Sequence, residues 1–251
     1  MAVILENNKL NDVTYRMIVR SDREGSLGYA GQFYMISTSD SSDPLLGRPI
    51  CVFDTDESAR TVTFIYVPLG RGTTLMSRMS KGAQITINGP YGKGFPVPDA
   101  DIILVGGGVG AAPLHKLAKE HKMKYPDRKR IMHVGFRTEN EVLLTDKFRE
   151  VCDECIVNIG GYVTDDVDYT KSDNIYFACG TMPMMGSAAK LALKNGRTMY
   201  LSLEKHMACG VGACLVCTCE TKDGSRKRVC KDGPVFLADD VYDAERGCFY
   251  E

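Results

Sequence analysis

The first third of the chain alternates apolar and polar positions in short runs that are typical of antiparallel β-strands. Five runs rich in β-branched and aromatic residues are separated by clusters of Ser, Asp and Gly: VTYRMIV, GQFYMIST, RPICVFD, TVTFIYV and QITINGP. One short helix, GTTLMSRMS from Gly72, precedes the last of these runs. Several short strands at this spacing predict a small antiparallel β-barrel.

The middle of the chain alternates strand-like and helix-like stretches instead. A buried strand, a glycine turn and a helix follow one another in DIILVGGGVGAAPLHKLAKEH, and further strands are predicted in RIMHVGF, CIVNIGG, NIYFACG and TMYLSLE. Two more helices are predicted, one near residues 145–151 and one that begins at Pro183 and ends at Gly196. This alternation predicts a parallel sheet with both faces covered.

The remaining stretch, from about residue 205, is rich in cysteine. The changes in pattern predict three domains: an antiparallel β-barrel over residues 1–97, an α/β domain with a parallel sheet over 98–204, and a small cysteine-rich domain over 205–251. A chain of 251 residues is long enough for one large domain or two modest ones with proper cores.

Composition and charge narrow the class of protein. The formal net charge is −1 and both signs are spread along the chain, so we expect no nucleic-acid partner. No apolar run reaches the roughly 18 residues of a membrane span, and the N-terminus lacks the basic start and long apolar core of a secretory signal. The expected location is therefore the cytoplasm, where the ten cysteines favour metal or redox chemistry over disulfides.

The cysteine-rich region contains a spacing that points to iron and sulfur. The pattern C-x4-C-x2-C-x12-C is formed by Cys209, Cys214, Cys217 and Cys230. Its first three cysteines match the plant-type ferredoxin spacing of a [2Fe–2S] cluster, and the glycines within it allow backbone N–H groups to point at sulfur. Structural zinc is the alternative, although zinc sites more often use two closely spaced ligand pairs, and only Cys214–Cys217 is such a pair.

Two other sulfur sites are disfavoured by the sequence. A Rieske site needs two histidine ligands, and only His206 is nearby. Cys152 and Cys155 form a C-x-x-C pair that lacks a thioredoxin-like setting and partner ligands. We interpret this pair as buried sulfur.

The stretch CTCETKDGSRKRVC is typical of a β-hairpin, with a two-residue Asp-Gly turn at 223–224. That register places Cys217 opposite Cys230, close enough to share one cluster, and leaves Cys219 as the spare cysteine. A turn one residue further along would place Cys219 opposite Cys230 instead. The basic residues of this hairpin either help to dock a partner or form a solvated face.

A glycine turn in the α/β domain suggests a nucleotide. VGGGVGAAP follows a strand and opens a helix, and Gly106, Gly108 and Ala111 fit G-x-G-x-x-G/A. Small residues there let a pyrophosphate approach the N–H groups at the helix start, although a tight turn without a ligand is the alternative. No acidic residue clearly ends the second strand, and HVGFRTENE offers Arg137 and two glutamates, so NAD and NADP both remain open.

Two stretches of the barrel carry possible anion-binding groups. LLGRPIC places Arg48 before a proline in an otherwise apolar region, and PLGRGTTLMS places Gly72 and Thr73 at a helix start. A solvated edge arginine and a plain turn are the alternatives for each stretch alone. Together, beside a nucleotide domain, they favour a second cofactor that carries phosphate.

The order of these motifs resembles that of a known family. GQF, RPIC, GRGTT, GPYGKGF, VGGGVGAAP, ACGTMPMM and MACGVGACLVC…VCKDGPVF follow one another along nearly the whole chain. The chain resembles the ferredoxin–NADP reductase superfamily and, more closely, the electron-transfer subunits of class B dihydroorotate dehydrogenases. The cysteine motif is the most specific part, since the glycine turns are shared across the superfamily.

The resemblance implies three cofactors. FAD would lie in the barrel, against Arg48, Pro49, Ile50, Cys51, Ile65, Tyr66, Val67, Gly72 and Thr73. NAD(H) would bind to the α/β domain through Gly106, Gly107, Gly108, Gly110, Cys179, Gly180, Met182 and Pro183. The four cysteines of the ferredoxin-like spacing would hold the [2Fe–2S] cluster. Cys51 stands where family members commonly carry serine near the flavin, which removes the usual hydroxyl.

The resemblance also implies an electron relay, because nicotinamide moves hydride, the cluster moves single electrons and flavin does both. The partner would be an FMN-containing dihydroorotate dehydrogenase catalytic subunit that oxidises dihydroorotate to orotate in pyrimidine biosynthesis, in a heterotetramer of two copies of each chain. We expect NADH to be preferred and no oxidation of dihydroorotate by this chain alone. The alternatives are a relay subunit for ferredoxin, a hydrogenase or a sulfite reductase, and a non-catalytic zinc-binding regulator.

Overall fold

A computed structural model describes residues 1–22, 24–38 and 43–250. Its N-terminal part contains six strands and one inserted helix: β1 (Ala2–Lys9), β2 (Tyr15–Ser21), β3 (Phe33–Ser37), β4 (Arg48–Asp56), β5 (Thr61–Tyr66), α1 (Arg71–Ser77) and β6 (Gln84–Tyr91). The strands form a closed antiparallel barrel in the order β1-β2-β5-β4-β3-β6. The predicted barrel and its short helix are confirmed.

Strand β1 is the barrel strand that the sequence pattern did not predict. It pairs with β2 along its length and with β6 through Ala2 and Val3, which closes the barrel. Its apolar residues come first and its polar residues second, and a register shift between Ile4 and Glu6 interrupts the alternation. The period of two that normally identifies a half-buried strand is therefore lost.

The α/β domain contains five strands and three helices at the predicted places: β7 (Ile102–Gly107), α2 (Ala112–Lys124), β8 (Arg130–Phe136), α3 (Thr145–Val151), β9 (Glu154–Ile159), β10 (Ile175–Cys179), α4 (Met182–Lys194) and β11 (Met199–Ser202). These strands pair in parallel in the order β11-β10-β7-β8-β9. The carboxyl ends of β7 and β10 therefore lie side by side, where open α/β sheets bind ligands.

The cysteine-rich tail contains only short elements: β12 (Thr218–Glu220), β13 (Arg226–Arg228), β14 (Val235–Leu237), α5 (Ala238–Val241), β15 (Tyr242–Asp243) and β16 (Cys248–Phe249). Strand β14 pairs antiparallel with β11, so the sheet is mixed rather than purely parallel. The tail thereby satisfies the hydrogen bonds of an edge that would otherwise be open. The division at 204/205 stays a prediction, and the last residue of the tail, 251, lies outside the described residues.

The tail shares a core with the rest of the chain. Cys217 and Cys230 are buried in one apolar cluster with Phe33 and Met35 of the barrel and with residues of the sheet. The barrel has a second core of its own, and a third lies between the sheet and α2. Within the described residues, no helix combines the length and the apolar character needed to cross a membrane.

Helix α2 joins the barrel to the α/β domain. Lys119 Nζ donates to both carboxylate oxygens of Asp54 on β4, at 2.8 and 2.7 Å. The His115 ring stacks on Phe53 with 4.5 Å between ring centroids. Because α2 begins directly after the glycine turn, these contacts hold that turn at a fixed position relative to the barrel.

Candidate cofactor sites

A cavity of about 330 Å³ lies where the barrel, the α/β domain and the tail meet. Eight of the nine residues predicted to contact FAD line this cavity: Arg48, Pro49, Ile50, Cys51, Ile65, Tyr66, Val67 and Thr73. They converge because β4 and β5 are paired strands and α1 follows β5 closely. The ninth residue, Gly72, is buried within α1.

Arg48 brings a positive charge to the cavity wall. Its Nη1 atom is buried and finds no hydrogen-bond acceptor within the described part of the chain. Burial also lowers the pKa of Arg48. Buried guanidinium N–H groups normally have a partner, so this atom indicates an acceptor that comes from a ligand. The diphosphate of FAD has the right chemistry.

The start of α1 is shaped around Arg48. A Cβ atom at Gly72 would collide with the Arg48 guanidinium, so only glycine allows that side chain to lie against the helix. The Thr73 hydroxyl accepts hydrogen bonds from the backbone N–H groups of Leu69 and Gly70, at 3.0 and 3.2 Å. Thr73 therefore fixes the turn that leads into α1, in addition to lining the cavity.

The two stretches predicted to bind nicotinamide meet backbone to backbone. A Cβ atom at Gly110 would lie 2.6 Å from the Gly180 Cα, which no side chain could tolerate. Gly110 and Cys179 line the cavity, whereas Met182 and Pro183 at the start of α4 line a separate cleft of about 540 Å³. The other predicted glycines belong to the same turns without forming part of the cavity wall: Gly106, Gly107 and Gly108 in the first turn, and Gly180 in the second. The NAD ligand set stays a prediction.

Two thiols face the cavity from different domains, Cys51 on β4 and Cys179 at the end of β10. Burial, reinforced by the nearby Glu204 carboxylate, raises the pKa of Cys51 to about 12. Burial also raises the pKa of Cys179 and, at the open side of the cavity, the pKa of Glu204. Both thiols are therefore protonated and unreactive at neutral pH.

Several cavity residues were not predicted to contact a cofactor, among them Glu204, Met207 and Pro234. Glu204 follows β11, and the carboxyl end of a parallel strand is the signal that could have identified it. Met207 precedes the first cysteine of the cluster spacing, and Pro234 follows the last one. Only tertiary packing brings these two residues to the cavity, which therefore shares a wall with the cysteine-rich tail.

Backbone N–H groups surround the first cysteine of the tail. Cys209 Sγ accepts hydrogen bonds from the N–H groups of Val211, Ala213 and Cys214, at 3.5, 3.3 and 3.5 Å. These donors, the Cys214 N–H foremost, lower the pKa of Cys209 to about 6. The loop therefore stabilises a thiolate, the form that binds metal.

The other two predicted ligands form a second pair. The Cys230 N–H donates to Cys217 Sγ at 3.4 Å, and both residues are buried. Burial and then the neighbouring Cys217 raise the pKa of Cys230 to about 12. Within the described residues, no three His, Cys, Asp or Glu side chains are gathered to hold one metal ion. The ligand set of the cluster stays a prediction.

The register of the hairpin differs from the predicted one. Thr218 faces Arg228 and Glu220 faces Arg226, so the loop has three residues, Lys222–Gly224, and Cys217 aligns with Val229 rather than with Cys230. Both registers considered from the sequence are therefore wrong. The physical reason is Asp223, whose carboxylate accepts hydrogen bonds from the Thr221 hydroxyl and the Ser225 N–H and stabilises the longer loop, with Gly224 at a φ of 75°.

Comparison with known proteins identifies the family. The sequence model of the iron–sulfur cluster binding domain of dihydroorotate dehydrogenase B matches residues 204–242. The electron transfer subunit of dihydroorotate dehydrogenase B (NAD(+)) from Clostridium perfringens is 39% identical over 242 residues, which cover 93% of this chain and 94% of the relative. The corresponding subunit from Fusobacterium nucleatum is 34% identical, over 94% of this chain and 95% of the relative.

The chain belongs to the family of dihydroorotate dehydrogenase B electron transfer subunits. It is therefore an oxidoreductase subunit that works with a catalytic partner. The segment matched by the cluster-binding model contains all four cysteines of the predicted ligand set and the cavity residues Met207 and Pro234.

Solved structures support the fold of this dihydroorotate dehydrogenase B family member. The NADH-dependent reduced ferredoxin-NADP oxidoreductase superimposes with a TM-score of 0.87 and 26% identity, over 98% of this chain and 91% of that one. A ferredoxin NADP+ reductase from Neisseria gonorrhoeae, solved with bound FAD and NADP, gives a TM-score of 0.61 at 15% identity, over 78% and 90% of the two chains. The predicted barrel, α/β domain and cluster-binding tail are confirmed.

Proposed function

We propose that this chain passes electrons between a partner's FMN and NAD through a [2Fe–2S] cluster and FAD, and so supports the oxidation of dihydroorotate to orotate in pyrimidine biosynthesis. The observation that carries this proposal is the shared cavity, whose wall combines Arg48 of the barrel, Gly110 of the glycine turn and Met207 of the tail. The cluster loop also packs on the barrel, since a Cβ at Gly210 would lie 2.6 Å from Met35 Cγ. The fold thus holds three cofactor regions against one another.

The residues present fit the cofactors of the family. When bound, nicotinamide supplies hydride chemistry, the cluster supplies one-electron chemistry and flavin supplies both. Arg48 would hold the FAD diphosphate with its unpaired Nη1, beside Gly72. The turn that contains Gly110, packed on Gly180, would hold NAD(H) at the carboxyl ends of β7 and β10. Neutral thiols at Cys51 and Cys179 would close this side of the cavity without adding charge.

The cluster would be held by two pairs of cysteines, Cys209 with Cys214 and Cys217 with Cys230. The N–H donors around Cys209 stabilise thiolate character, as a metal ligand requires. Cys219 stays outside both pairs: it is buried, burial raises its pKa, and it lines the separate 540 Å³ cleft.

The partner would be the FMN-containing catalytic subunit, in a heterotetramer of two copies of each chain in the cytoplasm. Three apolar side chains of the cluster loop support docking at this point, since Val211, Leu215 and Val216 are 48, 59 and 55% exposed. Exposed apolar side chains gathered on one loop are typical of an interaction site. Docking there would bring a partner's redox centre next to the exposed ligand Cys214.

Purification and reduction of the full chain test this function. We expect a yellow-brown protein with about one FAD and two irons per chain. NADH should bleach the flavin faster than NADPH in stopped flow, and the chain should reduce artificial acceptors. Dihydroorotate should be oxidised only after an FMN-containing catalytic subunit is added. A colourless, zinc-containing protein would contradict the proposal and favour a non-catalytic regulator.

A relay that serves ferredoxin is the second candidate function. The observation in its favour is the likeness to the NADH-dependent reduced ferredoxin-NADP oxidoreductase along nearly the whole chain. The two functions differ in nucleotide and acceptor. Faster reduction by NADPH, with rapid electron exchange with ferredoxin and none with a dihydroorotate-oxidising subunit, would favour this candidate.

A further inference from the structure

One arginine of the hairpin bridges the two segments that carry the cluster cysteines. Arg228, the last residue of β13, donates from Nε and Nη2 to the two carboxylate oxygens of Asp232, at 2.9 and 3.2 Å. Its Nη1 donates to the Gly212 carbonyl at 3.4 Å. Because Gly212 lies between Cys209 and Cys214, this side chain connects their loop to the turn that carries Cys230.

The backbone of the same residue organises that turn. The Arg228 N–H donates to Asp232 Oδ2 at 2.8 Å, and the Arg228 carbonyl accepts from the N–H groups of Lys231 and Asp232, at 3.0 and 2.7 Å. The position of the guanidinium relative to the buried thiols is therefore fixed from both sides.

The rest of the basic hairpin is used differently. Lys222 pairs with Asp239 at 3.0 Å, and Arg226 pairs with Glu220 at 3.3 Å. The Arg226 side chain is 75% exposed, so water and salt screen its charge. The Arg228 side chain is 31% exposed and that of Asp232 is 23% exposed. Lys227 and Lys231 are exposed as well, so Arg228 is the half-buried cation of this basic run.

Arg228 is also next to the segment that carries the Cys217–Cys230 pair. The N–H of the following residue, Val229, donates to the Cys217 carbonyl at 3.0 Å, and the Cys230 N–H donates to Cys217 Sγ at 3.4 Å. Cysteines that bind iron do so as thiolates, so a fixed cation beside them acts on the cluster itself.

We propose that Arg228 sets the reduction potential of the [2Fe–2S] cluster, by placing a positive charge beside the Cys217–Cys230 pair in an orientation fixed by Asp232. This inference rests on the proposed function, since it requires the cluster. One-electron reduction adds one negative charge and breaks no bond, so a nearby cation stabilises the reduced form more than the oxidised form. Asp232 opposes this effect, and the two charges should shift the potential in opposite directions.

The test measures iron content and midpoint potential on the full chain, purified anaerobically, by EPR-monitored redox titration. The variants are Arg228→Gln, Arg228→Lys, Asp232→Asn and, as the matched control, Arg226→Gln in the same hairpin. Arg228→Gln should lower the equilibrium constant for reduction about tenfold, which is about 59 mV for one electron. Asp232→Asn should raise it by a similar factor. Arg228→Lys should stay close to the wild type, and Arg226→Gln should leave the potential unchanged.

Opposite shifts in Arg228→Gln and Asp232→Asn support the proposal. Shifts of the same sign, or potentials equal to that of the wild type, overturn it, because a purely structural bridge would respond alike to the loss of either partner. If Arg228→Gln does not retain iron, Asp232→Asn decides, and an unchanged or lowered potential there overturns the proposal. A wild-type chain without iron contradicts the proposed function instead.

Discussion

The cavity proposed to bind FAD and the loop of residues 209–217 proposed to bind the cluster are built by different means. The cavity is built on paired strands, and Arg48 Nη1, which is buried without a partner among the described residues, belongs to a side chain that Gly72 allows to lie against α1. The cluster loop has no regular element between residues 209 and 217, and its backbone N–H groups converge on Cys209. Rigid strands position side chains, whereas a loop of this kind positions the backbone. Substitutions that change side-chain volume should therefore disrupt FAD binding in the cavity, whereas substitutions of single cysteines should disrupt iron binding in the loop.

The largest effect is expected from Gly72→Ala in the cavity. The added Cβ would displace the Arg48 guanidinium from its place beside α1, and a lost hydrogen bond to the charged diphosphate costs about 1.5–3 kcal/mol, so FAD affinity should fall about tenfold or more. Flavin absorbance and iron content of the purified chain measure the effect, and iron should stay constant. Gly70→Ala is the control, since a Cβ there meets nothing within 4 Å. Equal flavin in both variants would mean that Arg48 does not hold the cofactor.

In the cysteine-rich tail, substitutions of Cys217 and Cys219 should differ clearly in their effect on iron binding. Cys217→Ser should lose most of its iron because Cys217 belongs to a ligand pair, whereas Cys219→Ser should keep its iron and its reduced-state EPR signal. Both positions are buried in the same short segment, so the two variants are matched for burial. FAD should remain bound in both. The reverse pattern of iron loss would show that Cys219 is a ligand.

The stability of the interface between the barrel and the α/β domain should depend on pH. Burial lowers the pKa of His115 to about 4, below the value of about 6.5 that is usual for histidine. Between these two values the unfolded chain binds more protons than the folded chain, so stability should fall as the pH falls, by up to about 3 kcal/mol. Thermal unfolding midpoints between pH 7 and pH 4 should show a shallower slope for His115→Phe than for the wild type.

A change at the exposed His206 serves as the control for that slope. His206→Gln should leave the pH dependence of the unfolding midpoint as it is in the wild type, because the side chain lies at the surface of the tail. If His115→Phe left the pH dependence of the unfolding midpoint unchanged, protonation of the stacked imidazole at the interface would not be the cause of the loss of stability in acid.

The smallest effect is expected from Cys51→Ser, which replaces the thiol with a hydroxyl. The wild-type thiol is neutral because burial raises its pKa to about 12, and the serine is also neutral and similar in size. We expect full FAD content and a change of less than about threefold in the rate of flavin reduction by NADH, because the substitution exchanges only one weak hydrogen bond. Loss of FAD would mean that the cavity tolerates no change even at this position.

Regular periodicity allowed most elements to be predicted, and its failures are equally informative. The helix at 145–151 and the five parallel strands follow from their patterns, whereas β1 was missed because a register shift breaks its alternation. The predicted hairpin register was wrong because the side chain of Asp223 stabilises a three-residue loop. Residue preferences for two-residue turns do not account for such hydrogen bonds between a side chain and the backbone.

The sequence by itself determined the chemistry of this chain: cysteine spacing, glycine turns and the arginine before a proline are local patterns that need few neighbours to be recognised. Only the tertiary structure decided what lies next to what. It brought Met207 and Pro234 into the wall of the cavity, placed the Arg228 guanidinium against the Gly212 carbonyl, and added β14 to the sheet in the antiparallel sense. Contacts between residues far apart in the chain depend on packing and burial, which no short stretch of sequence specifies.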